Sequence, residues 1–250
     1  MNIVVCVKRV PATDSKIKVA ANGVSIDPTG VEYVLNPYDE FAVEEALKLK
    51  EAAGTGSVTV VTLGSAESQK ILRDTLAMGA DQAVLLRDGG TAHDAYSTAE
   101  CLAAHIKTVP HDVVLVGKQA VDTDNGQLGP RLAGLLGLPC ITEVLKLTLA
   151  DGRFTAERDI EGAREVVTCG LPAVITTQKG LNTPRYANLK GIMAAKKKPL
   201  QEIDAAAVTP ATTVTSLAMP PERPPGKVLG EGAAAVTALV DALRNEAKVL

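Results

Sequence analysis

Residues 117–129, GKQAVDTDNGQLG, carry the mixture of side chains in this chain best suited to holding a ligand. They follow residues 111–116, HDVVLV, which read as a buried parallel strand, and lead into a leucine-bearing helix expected to begin near Gln127. A loop at the carboxyl end of such a strand is where open α/β sheets bind ligands. The first free N–H groups of the following helix can hold an anion there. Gly117, Lys118, Gln119, Ala120, Val121, Asp122, Thr123, Asp124, Asn125, Gly126, Gln127 and Leu128 supply one cation, two carboxylates and several small or amide residues. That set suits the sugar and phosphate of a nucleotide better than it suits bond breaking. Asp124 or Asn125 is placed to cap the helix, which on its own makes only a helix start. The spacing also allows a division of labour. One carboxylate accepts from backbone or ribose hydroxyls, while the N–H groups of Gly126, Gln127 and Leu128 face the phosphate.

Asn36-Pro37-Tyr38-Asp39 forms a second candidate cluster. Asn36 can cap a helix, Pro37 suits its first turn, and Asp39 sits three residues after the cap. Carboxylates in a first turn oppose a phosphate, so this cluster is expected to meet a base or ribose if it meets a nucleotide at all.

Signatures of covalent chemistry are missing. Residues 54–59, GTGSVT, are a fragment of a dinucleotide fingerprint, but they precede a strand instead of following one. The chain has no phosphate-binding G-x-x-x-x-G-K-[ST], no G-x-S-x-G and no H-E-x-x-H. Cys6, Cys101, Cys140 and Cys169 lie far apart without a C-x-x-C, and read as reduced core residues. His93, His105 and His111 have no carboxylate or thiol at ligand spacing, so no metal site is expected.

These loops need a scaffold, and the hydrophobic pattern supplies one. Strands are expected at residues 2–7, 58–63, 83–86 and 113–116, alternating with helices near 36–49, 68–78 and 96–106. Phe41, Val43, Ala46, Leu47 and Leu49 mark the buried side of the first helix. Residues 16–26 alternate about Asn22-Gly23, the turn pair of a hairpin. Such β-α alternation implies an α/β fold, a doubly wound and mostly parallel sheet with helices on both faces. After Leu138-Pro139 come short strands at 141–149, 154–160, 165–169 and 173–177, which either extend the sheet or form a small adjoining one. A short amphipathic piece past Leu189 ends in Lys196-Lys197-Lys198-Pro199, read as a solvated helix end. Residues 200–228 are rich in Pro, Thr and Ala without a period, and a final helix near 232–247 carries Val236, Leu239, Val240 and Leu243 on one side. The expected domains are therefore 1–200, an α/β nucleotide-binding domain, and 201–250, an extended arm either disordered or laid across another surface, the second favoured by the apolar face of its helix.

Composition narrows the classes. A net charge of −3 gives no global field for nucleic acid or anionic membrane. Two Phe, four Tyr and no Trp leave little for base stacking. No apolar run reaches the ~20 residues of a membrane span, and Met1 opens directly into a strand without a signal pattern, which points to a cytoplasmic protein.

Several segments, in order, resemble the beta subunit of electron transfer flavoprotein: VKRVP at 7–11, NPYDEFAVEEA at 36–46, LAMGAD at 76–81, GKQAVD at 117–122, LPAV at 171–174, and LNTPRYANL at 181–189 followed by Ile192-Met193 and the lysines. The match spans about residues 1–200. The resemblance implies a heterodimer whose alpha subunit holds the redox-active FAD, with structural AMP in this chain. It assigns AMP contacts to Cys6, Asn36, Pro37, Tyr38, Asp39, Leu63 and residues 117–128. It assigns docking of acyl-CoA or other flavin dehydrogenases to Leu189, with Ile192 and Met193 beside it, and a quinone oxidoreductase as acceptor. Ala12, Thr13 and Leu128 depart from the family pattern, and Leu128 removes a hydroxyl at the phosphate end of the loop. The forms QLGP and LNTPRY lean towards electron-bifurcating relatives, which carry a second FAD in this site and oxidise NADH, while KKKPL at 196–200 and GKQ at 117–119 lean the other way. A stand-alone nucleotide sensor resembling universal stress proteins is the rival reading.

Overall fold

A computed structural model describes residues 1–222 and 225–250. The main sheet has seven strands: β1 (Asn2–Cys6), β4 (Ser57–Gly64), β5 (Gln82–Arg87), β6 (Val113–Gly117), β7 (Cys140–Val144), β11 (Ala173–Thr177) and β12 (Leu200–Asp204). Their order is β12-β5-β4-β1-β6-β11-β7 and every pairing is parallel. β2 (Arg9–Pro11) and β3 (Tyr33–Leu35) make a separate antiparallel ribbon. Between them the 18–27 hairpin is reduced to a single bridge, Val19 to Ile26, with Gly23 turning at φ 68°.

The alternation in β1 shows why helices cover both faces. Ile3 and Val5 point into a core shared with Leu47 of α1 (Pro37–Ala53) and Leu72 of α2 (Gln69–Met78). Val4 and Cys6 point the other way, into a core with Leu102 of α3 (Ala95–Ile106) and Leu132 of α4 (Leu128–Leu136). With side chains buried on both sides, the central strands read as continuous apolar runs. The chain steps outward from β1 to β4 and β5, then crosses back to β6 on the other side of β1. That reversal sets a switch point between the carboxyl ends of β1 and β6.

Both expectations for the strands after residue 138 hold in part. β7 and β11 extend the main sheet, while β8 (Lys146–Ala150), β9 (Arg153–Ile160) and β10 (Ala163–Gly170) form an antiparallel sheet that sends Phe154 and Ala156 into the first core. Two expectations change. Phe41 is only half-buried, and the inner side of α1 includes Glu44 and Glu45. Residues 200–204 are not irregular: β12 adds the outer strand beside β5 and straddles the boundary placed at residue 200. From residue 205 to 222 the arm has no regular structure. It ends in α6 (Val236–Asp241) and a π-helical turn (Ala242–Glu246).

Candidate functional site

A cleft of about 880 Å³ opens at the switch point, where β1 ends at Cys6, β4 runs past Leu63 and β6 ends at Gly117. Asp39 ties these ends together from below. Its carboxylate accepts from Lys8 N–H at 2.7 Å, Gly117 N–H at 3.2 Å and Asn36 Nδ2 at 2.9 Å. Burial outweighs those three donors and pushes its pKa up to about 7. Asn36 does not cap α1 with its side chain. Its Nδ2 also donates to Gln119 O at 2.9 Å, and its Oδ1 accepts from Val121 N–H at 3.1 Å. The side chain is thus a bolt between the helix start and the 117–128 loop. Thr177 Oγ1 donates to Tyr38 O at 3.1 Å, which fixes the same turn from β11. Gly117 lies so close to Asp39 and Tyr38 that a Cβ there has no room.

At the other side of the cleft α4 begins. Gln127 is its N-cap residue and gives no side-chain cap. Asn125 Oδ1 accepts from Gln127 N–H at 3.3 Å, one step before the helix, and Pro130 has no N–H to offer. The first-turn N–H groups of Leu128 and Gly129 therefore have no side-chain cap. Gly129 has no Cβ to hold α4 away from Thr176 of β11. Arg131 Nε and Nη2 donate to Gln127 Oε1 at 3.0 and 2.9 Å, and both residues line the cleft. Leu63, Leu102 and Val116 supply an apolar wall. The two loop carboxylates accept from side chains, not from backbone or into the cleft. Asp122 pairs with Lys8 Nζ at 2.7 Å, and Asp124, at φ 49°, accepts from Gln119 Nε2 at 2.6 Å. Neither lines the cavity. Cys6 is buried and its thiol is pushed up to about 12, so it serves as wall and not as a nucleophile.

A second surface is built where the chain leaves β11. Asn182 Nδ2 donates to Phe41 O and Glu45 Oε2 at 3.0 and 2.9 Å. Arg185 spans Glu44 and Glu51 of α1, with its guanidinium as close as 2.8 and 2.6 Å. The next residues stand clear of the body. Tyr186 is 98% exposed, Leu189 82% and Met193 63%, with Ile192 also exposed. Leu189 opens the short α5 (Leu189–Ala195) instead of sitting in a loop, and Asn188 caps it through Gly191 N–H at 2.8 Å. Lys198 is not a solvated helix end: its Nζ donates to Leu76 O and Ala80 O at the end of α2. Arg73 of α2 reaches back to Ala195 O and Lys198 O. The apolar patch thus stands on a pinned base.

A family model described as the electron transfer flavoprotein domain matches residues 24–208. The electron transfer flavoprotein subunit beta of Bacillus subtilis (strain 168) is 44% identical over 260 aligned residues, covering 100% of each chain. That of Bradyrhizobium diazoefficiens is 37% identical over 250 residues, and the mitochondrial one of Oryza sativa subsp. indica 38% over 257, again covering 100% of each chain. The chain belongs to the electron transfer flavoprotein beta-subunit family. Full-length agreement with such relatives sets aside the stand-alone stress-type sensor.

Of the residues that the resemblance assigned to nucleotide contact, this chain lines the cleft with Cys6, Asn36, Asp39, Leu63, Gly117, Lys118, Gln119, Ala120, Thr123, Asn125, Gly126, Gln127 and Leu128. Pro37, Tyr38, Val121, Asp122 and Asp124 lie outside the lining. Lys118 stands 5.3 Å over the Tyr38 ring and 3.7 Å from Glu143, so Tyr38 acts by steadying the loop's cation. Among the lining residues that sequence reasoning missed are the loop between β5 and α3, including Asp88, His93 and Asp94; Arg131, one turn into α4; and residues 211–214 of the arm. The first could have been found, because β5 ends at the same carboxyl edge as β1 and β6. The arm carries no such signal. Among the described residues no group of three or more His, Cys, Asp or Glu is placed to hold a metal ion, and no helix is long and apolar enough to cross a membrane.

Proposed function

We propose that this beta subunit pairs with an electron transfer flavoprotein alpha subunit and carries electrons from flavin dehydrogenases towards a quinone-linked acceptor. FAD held mainly by the alpha partner supplies the redox chemistry. This chain's residues bind, position and dock, as expected where a cofactor does the chemistry. AMP fills and stiffens the cleft, its phosphate at the uncapped first turn of α4, its adenosine between Leu63, Val116 and the loop bolted by Asn36. The helix that ends the arm, with Val236, Leu239 and Val240 exposed on α6, packs on the alpha subunit.

The observation that carries the docking role is the exposed apolar patch of Leu189, Ile192 and Met193 on a base pinned by Arg185 and Asn188. Apolar contact tolerates varied partners, which suits a carrier serving several donors. The test is Leu189→Ala in the assembled pair. The KM for a donor dehydrogenase rises about tenfold, as for a hot-spot residue, while bound FAD is unchanged. An unaltered KM contradicts the assignment.

One observation favours a second reading. A cleft of about 880 Å³ stands near the top of the range for whole drug-sized ligands, and so admits a second FAD in place of AMP, as in bifurcating relatives. NADH oxidation by the pair without any donor dehydrogenase separates the two: the AMP reading predicts none.

A further inference from the structure

Asp94 uses its two carboxylate oxygens for two different jobs. Oδ1 caps α3, accepting from Ser97 N–H at 2.8 Å. Oδ2 accepts from three donors on the arm: Ala211 N–H at 3.0 Å, Thr212 N–H at 2.9 Å and Thr212 Oγ1 at 3.1 Å. These are charge-assisted bonds, stronger than neutral ones. The arm is held on either side of this point as well. Ala205 N–H donates to Arg87 O at 3.0 Å, and Leu217 N–H to Gly23 O at 2.7 Å. Independently of these bonds, residues 211–214 line the cleft, together with Val24 of the hairpin that Leu217 grips. The arm is therefore a strap fastened at three places, and its middle fastening lies at the cavity.

We propose that Asp94 latches the carboxyl-terminal strap across the cleft, so that a bound adenine nucleotide leaves only when residues 211–214 lift. The inference rests on the nucleotide reading given above. It assigns Asp94 a positioning role: it holds a wall of the site without touching the reaction. An asparagine at this position remains a good N-cap, because its oxygen still serves Ser97. Its amide nitrogen, however, turns two hydrogens towards three donors.

The experiment uses the full-length pair purified with its alpha subunit, loaded with AMP and chased with excess labelled AMP. Asp94→Asn releases AMP roughly tenfold faster or more, and Thr212→Val, which removes one donor of three, falls between it and the natural protein. In the same samples, amide hydrogen exchange at Ala211 and Thr212 loses protection in Asp94→Asn, while the first turn of α3 keeps it. Unchanged AMP release alongside a loosened strap overturns the proposal, as does a strap that stays protected in Asp94→Asn. A natural pair that holds no AMP overturns the underlying nucleotide reading, and the amide protection then still decides whether Asp94 latches the strap.

Discussion

At the scale of single residues, Asp39 shows how burial and hydrogen bonding oppose each other. Three donors aim at a carboxylate whose burial lifts its pKa from the ordinary range to about 7. In the unfolded chain the group ionises near pH 4. Between about pH 4 and 7 the folded state therefore holds a proton that the unfolded state has lost, and stability falls as pH rises through this window. The contribution is fully present below pH 4 and lost above about pH 7, a span of a few kcal/mol. Asp39→Asn cannot titrate and turns an amide hydrogen towards the donors. Urea unfolding is predicted to show the variant less stable than the natural chain at pH 5, with the gap narrowing by pH 8. The type of residue at 36 and 39 was legible as a helix start. Their connection to Gln119, Val121 and Gly117 was not, because it joins positions about 80 residues apart in sequence.

At the scale of elements, α4 depends on its closeness to β11. An Ala at position 129 places its methyl against Thr176 Cγ2 with Val116 behind it. Gly129→Ala is predicted to cost about 1–3 kcal/mol by overpacking and to weaken nucleotide binding, because the anion-facing turn must move. Thr176→Ser removes the offending methyl and keeps the oxygen that accepts from Glu143 N–H at 2.8 Å. The double variant therefore recovers most of the loss, measured by denaturant midpoint as a coupling energy. The central strands and their helices were readable from sequence because each has a strong period and faces a single core. β12 was not: it is an edge strand whose residues after Leu200 are exposed, so no apolar run marks it. The strap was equally silent, since its place is set by one carboxylate and two backbone carbonyls on distant loops.

At the scale of the whole molecule, α1 joins the two functional regions. Its first turn is bolted to the nucleotide loop through Asn36 and Asp39, and Glu44, Glu45 and Glu51 hold Asn182 and Arg185 below the docking patch. In the proposed function, AMP in the cleft would reach the docking patch through this one helix. The central claim is that the cleft holds AMP while the redox flavin sits mainly in the partner. Nucleotides released by acid from the co-purified pair, separated and quantified, test it directly. The account predicts FAD and AMP in about equal amounts. A pair that releases FAD alone, at one or at two per heterodimer, contradicts it.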